Sequence, residues 1–181
     1  MTGGYSNFPG DVELIFTDII RQYGFKLVSS KFDTAILENN KIQIIFSIIE
    51  ESMTMSLKRG EKIFIVTDMV ALYDKPYFFE WKAQRETASA GLSREDYYKS
   101  YLSFYHVLAD KYFLNSFVTG IIPLESEYDT MKKEKDEYLK NYDRAWEAVQ
   151  KLNIKDPIRQ KYIFNDQTWV SDMLRSMGEK N

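Results

Sequence analysis

Apolar residues occupy every second position through much of the stretch from Lys41 to Met69, and this alternation constrains the fold more than any other feature of the chain. It occurs in three runs, whose apolar members are Ile42, Ile44, Phe46, Ile48, then Met53, Met55, Leu57, then Ile63 and Ile65. A period of two places alternate side chains on one face of a β-sheet. Short polar segments of hairpin length separate the runs, so the stretch predicts three antiparallel strands in a meander.

The first of these strands is apolar on both faces, because Ile45 and Ile49 interleave with the alternating set. The second strand has Thr54 and Ser56 on its other side. Strands that are apolar on both sides are typical of sheets covered on both faces. We therefore expect the first strand to be central, with both faces at least partly covered.

The chain before this stretch predicts one helix and two more strands. Apolar residues spaced three and four apart favour an amphipathic helix over residues 11–24, with Asp11 as its N-cap and Gly24 as its end. Residues 25–30 and 34–38 then have the composition and turn signals of strands. The predicted order is one helix followed by about five strands.

Residues 11–70 contain four short features in order: Gly24-Phe25-Lys26, then Val28 and Ser29, then Ala35-Ile36-Leu37-Glu38-Asn39, and the strand leading to Met55. In these features residues 11–70 resemble a diffuse group of small bacterial proteins that are often suspected of being immunity proteins, which bind and block a cognate toxin. The resemblance implies a protein-binding role. It transfers no functional residue, and the C-terminal half of the chain has no counterpart in it.

An aromatic cluster follows Pro76 and contains Tyr77, Phe78, Phe79 and Trp81. One interpretation is a sixth strand or a loop that packs its rings into the core. The other is an exposed anchor at a protein interface, where aromatic side chains are enriched, and on this interpretation Tyr77, Phe78 and Trp81 are candidate binding residues. The small, polar segment 83–91 is expected to be a mobile connection.

The C-terminal half is predicted to be helical. Ser93 has the spacing of an N-cap, with Asp96 three residues later, and a tyrosine-rich helix follows until Gly120 and Pro123. Residues 124–152 then form a coiled-coil-like seam that only Lys135 interrupts. This seam is covered either by the tyrosine-rich helix or by the same helix of a second subunit in a homodimer. A last short helix from Asp166 is expected to dock through its apolar side.

Composition narrows the functional classes. The chain has 181 residues, of which 44% are hydrophobic and 15% aromatic, and a formal net charge of −3. No basic stripe of the kind that binds nucleic acid is visible. The absence of cysteine excludes disulfides and thiolate chemistry. We find neither a secretory pattern nor an apolar run long enough for a membrane span, so a cytoplasmic location without nucleic-acid or membrane partners is expected.

Catalytic and metal-binding motifs are not evident. His106 is the single histidine, which leaves little scope for a triad or a histidine-rich metal site. Four carboxylates near the predicted end of the sheet could do acid–base work or hold a hard cation, namely Asp68, Asp74, Glu80 and Glu86. Glu50 and Glu51 form an acidic hairpin tip that could steer a basic partner. No catalytic residue, metal or cofactor is predicted.

These observations predict a single α+β domain over residues 1–181, with a helix and sheet at 11–82 and a helical part at 93–177. The leading functional hypothesis is a non-enzymatic, cytoplasmic protein-binding module of the immunity type. A second hypothesis is an enzyme or small-molecule binder that uses tyrosines and carboxylates. A third is a structural protein that associates with itself through residues 124–152.

Overall fold

The structure is a computed structural model that describes residues 7–31, 33–49, 52–89, 91–166 and 168–178. Its α+β architecture agrees with the predicted fold class. The chain separates into two compact units, Met1–Tyr128 and Asp129–Asn181, which are described in turn. None of the described helices combines the length and the apolar character needed to cross a membrane.

The N-terminal segment forms two helices, α1 (Phe8–Ile15) and α2 (Thr17–Tyr23), where one was predicted. Phe16 separates them, and its side chain is fully buried. Asp11 is not the N-cap, because the helix starts at Phe8 and Asp11 lies in its first turn. Pro9 explains the earlier start, since a proline in the first turn lacks only an N–H that would have no partner there. Gly24 ends α2 in the left-handed conformation, as predicted.

Five strands form one antiparallel sheet in sequential order. They are β1 (Lys26–Lys31), β2 (Thr34–Glu38), β3 (Gln43–Ile49), β4 (Ser52–Arg59) and β5 (Lys62–Ile65). The predicted meander is confirmed, and β3 occupies the predicted central position. The register of edge strand β1 shifts between Leu27 and Ser29, so its pairing with β2 is irregular at one point.

Two helices follow the sheet directly, which corrects the prediction of a sixth strand or loop at residues 77–81. Helix α3 is Val66–Tyr73 and helix α4 is Lys75–Ser89, so most of the predicted mobile connection is also helical. The backbone N–H of Tyr77 donates to Asp74 Oδ1 at 3.1 Å, as at a helix N-cap. Pro76 falls in the first turn of α4, where it is tolerated.

Helix α5 (Arg94–Tyr112) begins with the predicted cap, because the Ser93 hydroxyl accepts a hydrogen bond from the Asp96 N–H. The fully buried Phe113 separates α5 from α6 (Leu114–Thr119), which ends at Gly120 in the left-handed conformation. Helices α1, α3 and α5 contact the strands. One sheet face is buried, and its members are Ala35, Leu37, Ile44, Phe46, Met53, Met55, Leu57 and Phe64.

Asn39, in the turn between β2 and β3, joins three segments of the first unit. Its side-chain amide donates to the carbonyls of Tyr23 (3.1 Å) and Phe117 (3.0 Å). Its side-chain oxygen accepts from the N–H groups of Lys41 and Ile42. The side chain of one turn residue therefore connects the end of α2, the entry to β3 and helix α6.

The long helix α7 (Glu125–Val149) confirms the helix predicted from the seam. In the second unit, α8 is Pro157–Ile163 and α9 is Trp169–Ser176, and α9 packs on the C-terminal part of the seam, as the expected docking requires. The buried residues of this core are Ala145, Val149, Trp169, Val170, Met173 and Leu174. Cover by α9 was not among the predicted alternatives. Farther towards the N-terminus, Tyr138 and Leu139 are 57% and 47% exposed.

Candidate functional site

The second face of the sheet, hereafter the open sheet face, carries a central row of three isoleucines and two serines that none of the described helices buries completely. We call it the apolar row after its isoleucines. Ser29, Ile36, Ile45, Ser56 and Ile65 are neighbours in register across all five strands. Among the described residues of this face, every side chain is half-buried or exposed. On β3, Gln43, Ile45 and Ser47 are half-buried on this side, which agrees with the prediction that both faces of this strand are at least partly covered.

Polar rows flank the apolar row on both sides. On one side the register neighbours are Lys26, Glu38, Gln43 and Lys58, and the exposed Ile63 on β5 ends this row. On the other side the register neighbours are Thr34, Ser47 and Thr54. An apolar centre with a polar rim is the common anatomy of protein–protein interfaces. The open sheet face thus has the composition of a binding surface.

The three predicted aromatic binding residues lie on α4 and differ in exposure. Trp81 is only 2% exposed, and its indole N–H donates to the Phe104 carbonyl on α5 at 3.3 Å. Tyr77 and Phe78 are half-buried. Trp81 is therefore part of the contact between α4 and α5, whereas Tyr77 and Phe78 keep accessible surface. The predicted acidic tip, Glu50 and Glu51, lies outside the described residues.

Tyr77 belongs to a tyrosine cluster formed by Tyr73, Tyr77 and Tyr112 together with Asp74 and Lys111. The ring centroids of Tyr73 and Tyr77 lie 5.9 Å and 5.8 Å from that of Tyr112. The Tyr112 hydroxyl donates to Asp74 Oδ2 at 3.0 Å. Burial and this hydrogen bond raise the pKa of Tyr112 well above its ordinary value. The Tyr112 hydroxyl therefore stays protonated at neutral pH.

Arg85 lies between two rings at the next turns of α4 and α5. Its guanidinium carbon is 4.9 Å from the Trp81 ring centroid and 4.4 Å from that of Tyr101. Its Nε is buried and has no hydrogen-bond partner among the described residues. Tyr97 donates to the Tyr101 hydroxyl at 2.8 Å. Burial, followed by this hydrogen bond, raises the pKa of Tyr101 to about 12, which makes it a poor general base at neutral pH.

The other residues with catalytic potential are distributed over the first unit. His106 Nε2 lies 2.8 Å from Asp18 Oδ1 and joins α5 to α2. Desolvation raises the pKa of the Asp18 carboxyl. The hydrogen bond with His106, together with backbone hydrogen bonds, outweighs this effect and keeps that pKa below its ordinary value. Within the described ranges, no group of three or more His, Asp or Glu side chains is arranged to hold a metal ion.

Sequence reasoning missed Arg85, Lys111 and Tyr112 as neighbours of the predicted aromatic residues. One signal was present, because Tyr77, Trp81 and Arg85 are spaced four apart and lie on one side of a helix. The strand-or-loop interpretation of this segment concealed that spacing. The partners on α5 are distant in sequence and become neighbours only in the fold.

The fold and the open sheet face define an α+β protein whose antiparallel sheet is covered by helices on one side. Comparison of the chain with protein-family models gave no match. Comparison with curated proteins and with solved structures gave none either.

Proposed function

We propose that this chain is a non-enzymatic protein-binding module whose docking surface is the open sheet face. One observation supports this most directly. Strand β3 is central and apolar on both sides, but helices bury only one of them. A protein partner that packs on Ile36 and Ile45 would remove this second apolar row from water, which is favourable by about 25 cal/mol for each Å² of apolar surface.

The proposal is tested by weakening the apolar row without disturbing the strands. Threonine keeps the β-branched shape that suits a strand but removes apolar surface, so the double variant Ile36→Thr, Ile45→Thr is appropriate. Tagged protein is used to capture and cross-link partners in extract of the native cell. We expect the captured partner to bind the double variant at least about tenfold more weakly, a loss of about 1.4 kcal/mol.

A matched control changes two exposed apolar residues on helices, Leu14→Gln and Val118→Gln, which are 71% and 59% exposed. This control should bind like the wild-type chain. Failure to capture any specific partner would contradict the proposal, and so would a partner that binds both double variants with equal affinity. Thermal unfolding of each variant establishes that a loss of binding is not a loss of structure.

An immunity role in the cytoplasm is the specific form of the proposal. It is supported by the resemblance of residues 11–70 and by the absence of cysteine, which suits a reducing compartment. If the captured partner is a toxin, co-expression with the wild-type chain should restore growth of toxin-producing cells. The Ile36→Thr, Ile45→Thr variant should restore it less. Growth that stays inhibited in the presence of the bound wild-type chain would exclude the immunity role and leave the binding role.

Self-association through α7 is the second candidate, and the exposure of Tyr138 and Leu139 favours it. Tyr138 lies in the predicted seam and Leu139 lies beside it, and exposed apolar patches often mark sites of protein–protein interaction. Light scattering at high protein concentration tests it. A dimer that the variant Tyr138→Gln, Leu139→Gln converts to a monomer would support this candidate, and a wild-type monomer would exclude it.

A further inference from the structure

Lys111, in the last turn of α5, holds its ammonium group against tyrosine rings. Its Nζ lies 3.2 Å from the ring centroid of Tyr77 and 5.1 Å from that of Tyr112. An ammonium group over the face of an aromatic ring is attracted by the negative charge of the π-system. Among the described residues, no carboxylate lies within ion-pair distance of Lys111. Among the described side chains, the two ring faces are therefore the contacts of this cation, and Lys111 is otherwise exposed to water.

The surroundings of these rings carry negative charge. Burial, and after it the negative charges of Glu80 and Asp74, raise the pKa of the Tyr77 hydroxyl above its ordinary value. The same field favours a cation at the ring face. An electron-rich ring and a negative field are the two features by which proteins select ammonium ligands.

Asp74 also fixes the geometry of the rings. Its Oδ1 accepts from the Tyr77 N–H, and its Oδ2 accepts from the Tyr112 hydroxyl. Both tyrosines are thus tied to one residue at the junction of α3 and α4. Tyr73, which is 50% exposed, packs against Tyr112 and leaves this region accessible from solvent. The hydroxyl bond to Asp74 holds the Tyr112 ring independently of Lys111. For Tyr77 the Asp74 bond fixes the backbone, and the ring packs against that of Tyr112 at 5.8 Å.

We propose that Tyr77 and Tyr112 form a binding site for an alkylammonium group, and that Lys111 occupies this site in the free protein. An external ligand must displace the Lys111 ammonium, whose tether gives it a high effective concentration at the site. Two sources share this chemistry, a small quaternary ammonium compound and the lysine side chain of a partner. The site lies on α4 and α5, so it is independent of the open sheet face.

The test vacates the site with Lys111→Ala and titrates the full chain with tetramethylammonium chloride. Ring-proton chemical shifts of Tyr77 and Tyr112 report binding, together with the upfield shift of the ligand methyl groups. We expect the Lys111→Ala variant to bind tetramethylammonium at least about tenfold more tightly than the wild type, because the variant lacks the competing lysine ammonium. Adding Tyr77→Leu to Lys111→Ala should abolish this gain in affinity for tetramethylammonium, since leucine has no aromatic ring face.

Lys82→Ala is the matched control, because it removes an exposed positive charge from α4 without vacating the site. Lys82→Ala should bind tetramethylammonium with the affinity of the wild type. An equal gain in affinity in Lys82→Ala and Lys111→Ala would overturn the proposal, because the gain would then result from the change in net charge. A parallel titration with the peptide acetyl-Gly-Lys-Gly-amide distinguishes the sources. Binding of the peptide as well as tetramethylammonium identifies a partner lysine, and binding of tetramethylammonium alone identifies a small ligand. Binding of neither compound to Lys111→Ala would refute the site.

Discussion

The two faces of the sheet are built from alternate residues of the same strands, and they have opposite environments. Phe46 is fully buried, and its ring meets that of Phe16 at 4.8 Å in an edge-to-face arrangement. Its neighbour Ile45 points to the other side and remains half-buried within a row of isoleucine and serine. Apolar character on both sides of a strand therefore did not ensure equal burial on both sides. The difference is the basis for proposing the open sheet face as the docking surface.

Replacing Phe46 by alanine should give the largest effect and would sharpen the contrast between the faces. We expect a loss of about 4 kcal/mol in the free energy of unfolding, because the change removes a buried ring and leaves a cavity. Urea denaturation followed by circular dichroism measures it. A loss below about 1 kcal/mol would mean that the face under α1, α3 and α5 is loosely packed.

Asn39→Ala should have the next largest effect, because it breaks the connection between the covered sheet and the helices around it. The carbonyls of Tyr23 and Phe117 and the N–H groups of Lys41 and Ile42 would lose a partner, and we expect a loss of about 2 kcal/mol. Thermal and urea unfolding measure this loss. The adjacent, exposed Asn40→Ala serves as the control and should change stability little. Equal losses in both variants would contradict the role assigned to Asn39.

Glu125→Gln tests the contact between the sheet edge and the start of α7. Lys62 donates to Glu125 at 2.8 Å, and this bond, with the charge of Arg59, keeps the pKa of Glu125 below its ordinary value of 4.5. Because the folded state has the lower pKa, the stabilisation is present above pH 4.5 and is lost as the pH falls through the folded-state value.

We expect Glu125→Gln to reduce stability by about 1 kcal/mol at pH 7, since partly exposed ion pairs contribute little. The difference from the wild type should disappear in acid. Urea denaturation at pH 7 and at pH 3 measures both values. Glu61 lies in the turn between β4 and β5, beside Arg59 and Lys62. Glu61→Gln therefore removes a carboxylate from this hairpin but none of the Glu125 contacts, and it should show no such pH dependence. A difference for Glu125→Gln that persists unchanged at pH 3 would rule out this electrostatic account.

Ile45→Thr should have the smallest effect and completes the comparison of the two faces. The side chain is already partly in water and threonine suits a strand, so we expect a loss of about 0.5 kcal/mol. The measurement is the same urea denaturation as for Phe46→Ala. A loss above about 2 kcal/mol would mean that Ile45 is buried in solution, and the open sheet face would then not be available for docking.

Patterns local in sequence predicted the strands well and the helix that carries Tyr77 poorly. The alternation from Ile42 to Leu57 identified β3 and β4, because one face of each strand is buried. The segment around Tyr77 was misassigned, because aromatic residues after Pro76 favour strands and loops, whereas the Asp74 cap and the Tyr77, Trp81, Arg85 spacing decide for a helix.

The contacts within the candidate sites depend on tertiary structure and could not be predicted. Tyr77 and Lys111 are far apart in sequence and meet only because α4 and α5 pack side by side. Which side of β3 the helices cover was not determined by the strand pattern either, since both sides are apolar. The side of β3 that is buried is determined by the positions of α1, α3 and α5.

The irregular pairing of β1 bears on how the molecule avoids uncontrolled polymerisation. A free sheet edge can add the strand of another copy, and a chain with two such edges can grow into fibrils. The register shift between Leu27 and Ser29 interrupts this edge, and Lys26 and Lys31 place positive charge at both of its ends. Like charges on two approaching β1 strands repel each other, so the protein can leave isoleucines accessible on one sheet face while its edge resists stacking.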